Sequence, residues 1–339
     1  FACTSEDINN LSYSLMIKDA SKVISLNIEN LIKVLKQKAV QYSNTPMLSR
    51  THGQTASPTT MGKEFANFVH RINSINRSIK GTSLKGKING AVGNFNAHAI
   101  AYPDVNWEIV SRKFIKGLGL EVNTHTTQVE PKDSIAELFF NYVRLNNVLI
   151  DFSRDIWGYI SLGYFKQKLK KGEIGSSTMP HKVNPIDFEN AEGNLGVANA
   201  NFQHLSNAVV ISRWQRDLTD STVMRNIGLC YGHTNLALSS LLKGVYKLEI
   251  NKDQLKHDLD SSWEVLTEAM QTIFRKHLIK DGYELMKELS RGKKISKEDL
   301  HNLIDKIDIP SEEKNALKNL TPSSYTGIAN TLAKQLKDS

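Results

Sequence analysis

Apolar residues recur along most of this chain at steps of three and four, the spacing that lines one face of a helix. Ile8, Leu11 and Leu15 begin the pattern, and Ile24, Ile28, Leu31 and Leu35 continue it. Ser5 can cap this helix, with Glu6 and Asp7 in its first turn. Pro46 closes the region, and the polar stretch SRTHGQ at 49–54 reads as a turn. Ser57 and Pro58 then read as a cap followed by proline at the first helical position, ahead of a face marked by Met61, Phe65, Phe68, Ile72 and Ile75.

Residues 81–107 break the pattern with Gly81, Gly86, Gly90, Gly93 and Pro103, and read as a long loop. A second polar turn covers 123–128. Leu138, Tyr142, Leu145, Leu149, Phe152, Ile156 and Tyr159 then form a heptad-like seam, widened by Phe139, Val143, Val148, Ile150 and Ile160. The same step returns at Leu195, Ala198, Phe202, Leu205 and Val209, and again at Leu238, Leu241, Val245 and Leu248. Several long seams of this kind are satisfied by packing on one another, within a chain or between copies, so self-association is expected.

No set of alternating strands stands out, and the fold class is all-α. From about residue 246 the helices become shorter, with start signals at 296–299 and 321–322 and a stop at Pro310. The expected organisation is a central helical-bundle domain over 1–245 and a smaller helical C-terminal domain over 246–339.

With 339 residues and 40% hydrophobic composition, the chain can bury a substantial core. No apolar run approaches a membrane span, and no secretory signal opens the sequence. Cys3 and Cys230 are the only cysteines, too few for a disulfide framework, which favours a reducing, cytoplasmic compartment. The net charge of +8 sits on scattered lysines and arginines that aromatic residues do not interleave. That distribution suits an anionic small-molecule site better than a nucleic-acid groove. The first residue is Phe1, not Met, and the opening reads as the interior of a domain, so an N-terminal portion is expected to be missing.

Chemistry concentrates where the seams stop. The stretch 172–185 holds two glycines, two prolines and a run of hydroxyls, so it cannot continue a helix. Thr4 and Ser5, Thr51 and His52, and Gln128 with its threonines form further polar clusters at the ends of apolar segments. Hydroxyls with Lys182 and Asn184 supply donors for carboxylates. The segment SRWQRDLTDSTVMR at 212–225 sets Arg213, Arg216 and Arg225 near Ser221, a combination suited to phosphate, although Asp217 and Asp220 are equally available to pair with those arginines. No zinc spacing, dinucleotide fingerprint or Walker lysine loop occurs, and a cofactor-free, metal-free reaction is the simpler expectation.

GSSTMPHKVNP at 175–185 resembles the signature loop of the fumarase/aspartase superfamily. TSED at 4–7, SRTHGQ at 49–54 and the 212–225 segment are similar to the bacterial adenylosuccinate lyase family within it. The resemblance implies a homotetramer around a long helical bundle, with active sites shared between subunits, acting on succinylated purine nucleotides or their precursors by eliminating fumarate. By motif position it implies Ser176 as general base and His52 as general acid. Thr4, Ser5, Lys182 and Asn184 would stabilise the developing carboxylate charge. Gln128, Thr51 and Ser177 would position substrate, Glu189 and Asn190 would support the loop and nucleotide, and Arg216, Ser221 and Arg225 would hold phosphate. The resemblance also implies an upstream domain with an Arg–Tyr nucleotide contact and a second active-site histidine, neither of which occurs in these residues. Without them, activity is expected to be crippled.

Overall fold

A computed structural model of the protein describes residues 1–168, 179, 182–280, 282, 284, 286–287 and 294–337. In chain order the elements begin α1 (Ser5–Gln41), β1 (Pro46–Thr51), β2 (Gln54–Thr60), α2 (Met61–Gly81), β3 (Lys85–Gly86), α3 (Asn96–Ala101), α4 (Trp107–Gly117) and β4 (Glu121–Val122). They continue with α5 (Asp133–Ser161), β5 (Phe165–Gln167), α6 (Ile186–Ala208), α7 (Thr219–Met224), α8 (Ile227–Lys247), β6 (Leu248–Ile250), α9 (Lys252–Asp260) and α10 (Thr267–Lys276). Shorter helices at Lys297–Lys306, Ser311–Asn319 and Ala329–Lys334 follow. The fold is all-α in character, and the long seams fall on α1, α5, α6 and α8.

Two compact units emerge: residues 1–33, 70–158 and 169–247 form the first, and residues 34–69, 159–168 and 248–339 the second. The first unit is a helical bundle whose seam residues meet at an aromatic centre. Phe202 of α6 stacks on Tyr142 of α5 with ring centroids 5.3 Å apart and lies 5.1 Å from Phe139. Tyr231 of α8 meets Tyr142 edge-on at 5.2 Å, and its hydroxyl reaches Ser21 on α1 at 2.9 Å. Edge-on and offset contacts suit the ring quadrupoles, so these positions interlock rather than merely fill volume. Gly244 lets α8 approach α6, since a Cβ there would stand 2.8 Å from the Phe188 ring.

The second unit is built around a hairpin and a cluster of short helices. Leu48 of β1 joins Leu259, Val265, Leu266, Met270, Phe274, Leu300, Leu303 and Ile304 in its core. The helix Lys297–Lys306 starts on a complete capping box, in which Asp299 N–H donates to Ser296 Oγ at 3.1 Å and Ser296 N–H donates to Asp299 Oδ2 at 3.0 Å. Ser296→Ala should therefore lower stability by about 1 kcal/mol, read as a small drop in the unfolding midpoint.

Several local expectations change. SRTHGQ is the tip and stem of the β1–β2 hairpin, not an isolated turn. Ser57 and Pro58 belong to β2, and the next helix starts at Met61. Pro58 pairs with Leu48 beside the register shift between Leu48 and Ser49, a place where a strand tolerates a residue without an N–H. Among the described residues, three two-stranded sheets occur where no strand pattern stood out, because pieces of two to seven residues show little or no alternation. The 81–107 loop contains α3 and the short strand β3. Ser5 is the first helical residue of α1, which moves the cap position to Thr4. Thr321 and Pro322 form a turn bonded to Ser324, and the last helix begins later, at Ala329.

Candidate active site

The start of α1 is the hub of the first unit. Asp7 bonds back to the Thr4 N–H through Oδ2 at 2.8 Å, half of a capping box that leaves Oδ1 for other donors. That oxygen accepts the N–H groups of Asn89 at 3.1 Å and Gly90 at 3.3 Å, and meets Lys87 Nζ at 2.8 Å. Lys87 and Asp7 are both fully buried. Burial pulls the Lys87 ammonium below its ordinary lysine value, and the hydrogen-bonded Asp7 carboxylate pushes back. Lys87 also donates to the Gly90 carbonyl at 2.9 Å, so one ion pair holds the glycine-rich loop from both sides.

A second ion-pair chain leaves Glu6. Arg216 donates to its Oε2 at 2.8 Å, and Lys132 spans its Oε1 at 3.4 Å and Asp220 Oδ2 at 2.8 Å. The 212–225 segment is thereby tied to the helix start. Asn89 Nδ2 donates to Thr126 Oγ1 at 2.8 Å, and Gln128 Nε2 donates to the Ala91 carbonyl at 2.8 Å. At Gly93 the φ is +86°, and a Cβ would stand 2.2 Å from the Thr126 carbonyl, so only glycine lets these two loops close on each other.

Thr4 and Arg216 are thus tied to the start of α1 through Asp7 and Glu6, Gln128 holds the glycine-rich loop at Ala91, and Ser5 is exposed. Ser221 lies half-buried on α7, directly after the paired Asp220, and Arg225 follows that helix, exposed and without an ion pair among the described residues. Of the expected acid partners, Asp217 pairs with Arg213 at 3.3 Å, whereas Arg216 chooses Glu6 and Asp220 goes to Lys132. The N–H groups of Arg213 and Thr219 hold the Asp217 carboxyl down at about 2. Its folded value lies below the ordinary one, so its hold on this turn is in place at neutral pH and is lost as pH falls through about 2.

Glu189 accepts the Trp157 indole N–H at 3.0 Å, and Asn190 Oδ1 accepts from Ser240 at 2.8 Å, which fixes both at the start of α6. Lys182 is exposed and Asn184 half-buried just before that helix. Ser176 and Ser177 lie outside the described residues. Thr51 and His52 belong to the second unit, where Thr51 pairs with Gln54 across the hairpin. His52 and Gly53 occupy the turn with φ of +54° and +74°. Positive φ at both central positions is the type I′ pattern whose twist matches a hairpin, and it places an imidazole where glycine or asparagine would be easier. A side chain held in that region marks a position of interest.

No local pattern marked Lys87 and Lys132 as buried cations. Lys87 sits among glycine and asparagine in KGKING at 85–90, a composition that reads as solvated loop. Among the described residues there is no group able to hold a metal ion, and no helix is long and apolar enough to cross a membrane.

Two family models match the chain: one described as Lyase over residues 1–199, and one described as Adenylosuccinate lyase C-terminal over 212–326. The adenylosuccinate lyase of Escherichia coli (strain K12) is 55% identical over 338 residues, covering 99% of this chain and 74% of that protein. That of Haemophilus influenzae is 52% identical over 337 residues, with the same coverage. Among solved structures, a fumarate lyase from Mesorhizobium sp. BNC1 superposes with a TM-score of 0.81 at 20% identity, over all of this chain and 77% of that one. The 3-carboxy-cis,cis-muconate lactonizing enzyme from Pseudomonas putida gives 0.78 at 19%, over 99% and 76%. The superposed structures share the fold, the sequence matches go further, and the chain belongs to the adenylosuccinate lyase family of the fumarase/aspartase superfamily.

Proposed function

We propose that this protein is a carbon–nitrogen lyase that cleaves adenylosuccinate to AMP and fumarate, and the succinylated aminoimidazole carboxamide ribotide to its carboxamide product and fumarate. The observation that carries this reading is identity above one half to curated adenylosuccinate lyases over nearly the whole chain. The chemistry asks for a base at the carbon beside a carboxylate and an acid at the departing nitrogen. Ser176 takes the proton, which requires that its hydroxyl ionise among amides and near a cation such as Lys182. His52 protonates the nitrogen, a task suited to an imidazole, which can carry a proton and release it.

Thr4, Ser5, Lys182 and Asn184 donate to the carboxylate on which charge accumulates, lowering the barrier. Gln128, Thr51 and Ser177 orient the substrate, and Glu189 and Asn190 support the loop and nucleotide. Arg216, Ser221 and Arg225 hold the phosphate. Pairing of Arg216 Nη1 with Glu6 leaves further guanidinium donors for that purpose.

The working enzyme is a cytoplasmic homotetramer in which subunits share active sites, with the chain divided at about residue 246. Apolar residues left exposed on the bundle helices support the assembly: Met16, Val23 and Leu26 on α1, Phe140 on α5, Val197 on α6 and Leu236 on α8. Incubation of the full-length protein with adenylosuccinate should release fumarate and AMP in equal amounts. Absence of turnover, with argininosuccinate cleaved in its place, would refute the assignment.

A further inference from the structure

The hairpin that carries His52 is held from outside by a carboxylate that none of the sequence motifs contains. Arg50 lies on β1 two residues before His52 and pairs in register with Thr55 of β2. Its Nη1 donates to Thr55 Oγ1 at 3.1 Å, bridging the two strands just below the turn. Its Nη2 reaches Asp258 Oδ2 on α9 at 3.3 Å. Asp258 is itself held: the Tyr164 hydroxyl donates to Oδ2 at 2.9 Å, and Gln254 Nε2 donates to Oδ1 at 2.8 Å. Tyr164 is fully buried, so the carboxylate sits on a rigid base.

His52 is exposed and makes no side-chain hydrogen bond to a described residue. No described residue of the second unit is hydrogen-bonded to its ring. The direction of the imidazole therefore depends on the hairpin backbone, and the stem of the hairpin depends on Arg50.

We infer that Asp258, acting through Arg50, is a positioning residue for His52. The inference rests on His52 being the acid of the proposed reaction. A loosened hairpin would leave substrate binding intact while lowering the fraction of bound complexes in which the imidazole lines up with the departing nitrogen. Misplacement on the ångström scale costs about a hundredfold in rate, so a partial loss of the anchor should cost about tenfold.

The test is a double-mutant cycle on kcat for adenylosuccinate, with Asp258→Asn, His52→Gln and the double variant, folding of each checked by its melting transition. Asp258→Asn should lower kcat about tenfold and leave KM within about twofold, because the lost interaction concerns alignment and not binding. In the His52→Gln background the same change should cost nothing further, the non-additivity of residues that act as a unit. Should Asp258→Asn fail to fold, Arg50→Gln, which leaves the Tyr164 and Gln254 contacts in place, carries the same expectation. Equal loss in both backgrounds, or normal kcat in Asp258→Asn and Arg50→Gln beside an inactive His52→Gln, would overturn this inference alone. Full turnover in His52→Gln would overturn the role of His52 and this inference with it.

Discussion

Ser176→Ala and His52→Gln are each expected to lower kcat for adenylosuccinate by about 10²–10⁴-fold, the range that a positioned acid or base supplies. Both steps of the elimination must be served together, because a proton removed beside a carboxylate returns unless the carbon–nitrogen bond breaks. Losing either group should therefore cost nearly as much as losing both, and the double variant should be little slower than the worse single one. Each variant should keep the parent's assembly state by light scattering and melt within a few degrees of it, since His52 is exposed at a hairpin tip. Turnover near the parent rate in either variant removes that residue from its role.

The second large effect concerns stability. Lys87→Met leaves Asp7 fully buried with its amide donors and without its cation, and removing one partner of a buried pair costs about 3–5 kcal/mol. The unfolding midpoint in urea should fall accordingly. Asp7→Leu combined with Lys87→Met should recover much of that loss, since it removes the uncompensated charge rather than creating one. Recovery of stability should not restore full activity, because the Asn89 and Gly90 amides would have lost Oδ1 and the Thr4 N–H would have lost Oδ2 of the carboxylate that gathers them. An unchanged midpoint in Lys87→Met would show that the pair contributes nothing.

Much of this architecture was legible before any coordinates. Seams at Leu138 to Tyr159 and at Leu195 to Val209 appear as α5 and α6, because a long amphipathic helix repeats its signal many times. The β1–β2 hairpin was not legible: its two strands carry hydroxyls, a proline and few alternating apolar residues, and its stability comes from Met47, Leu48 and the helices that cover them. Thr4, Gln128 and Arg216 stood out from motif positions alone, yet the partners that hold them did not show. Glu6 looked like an ordinary first-turn acid, and its bonds to Arg216 and Lys132 span more than a hundred residues of chain. Pairings of that range are decided by the packed bundle, and no local spacing encodes them. Likewise the choice of Glu6 over Asp217 by Arg216 follows from Asp217 being occupied by the Arg213 and Thr219 amides.

The buried network at the start of α1 also bears on how an anionic substrate is drawn in. Its three cations, Lys87, Lys132 and Arg216, face Glu6, Asp7 and Asp220, and Glu130 lies against the Lys132 amide at 2.7 Å. Taken together the cluster carries no surplus of positive charge and projects little field into solvent. Long-range attraction in the first unit must come instead from exposed groups outside it, among them Arg225 and Lys182. Ionic strength should then separate two properties that share one site: added salt would slow substrate capture by screening the exposed cations, while the dry, internally compensated frame beneath them keeps its shape.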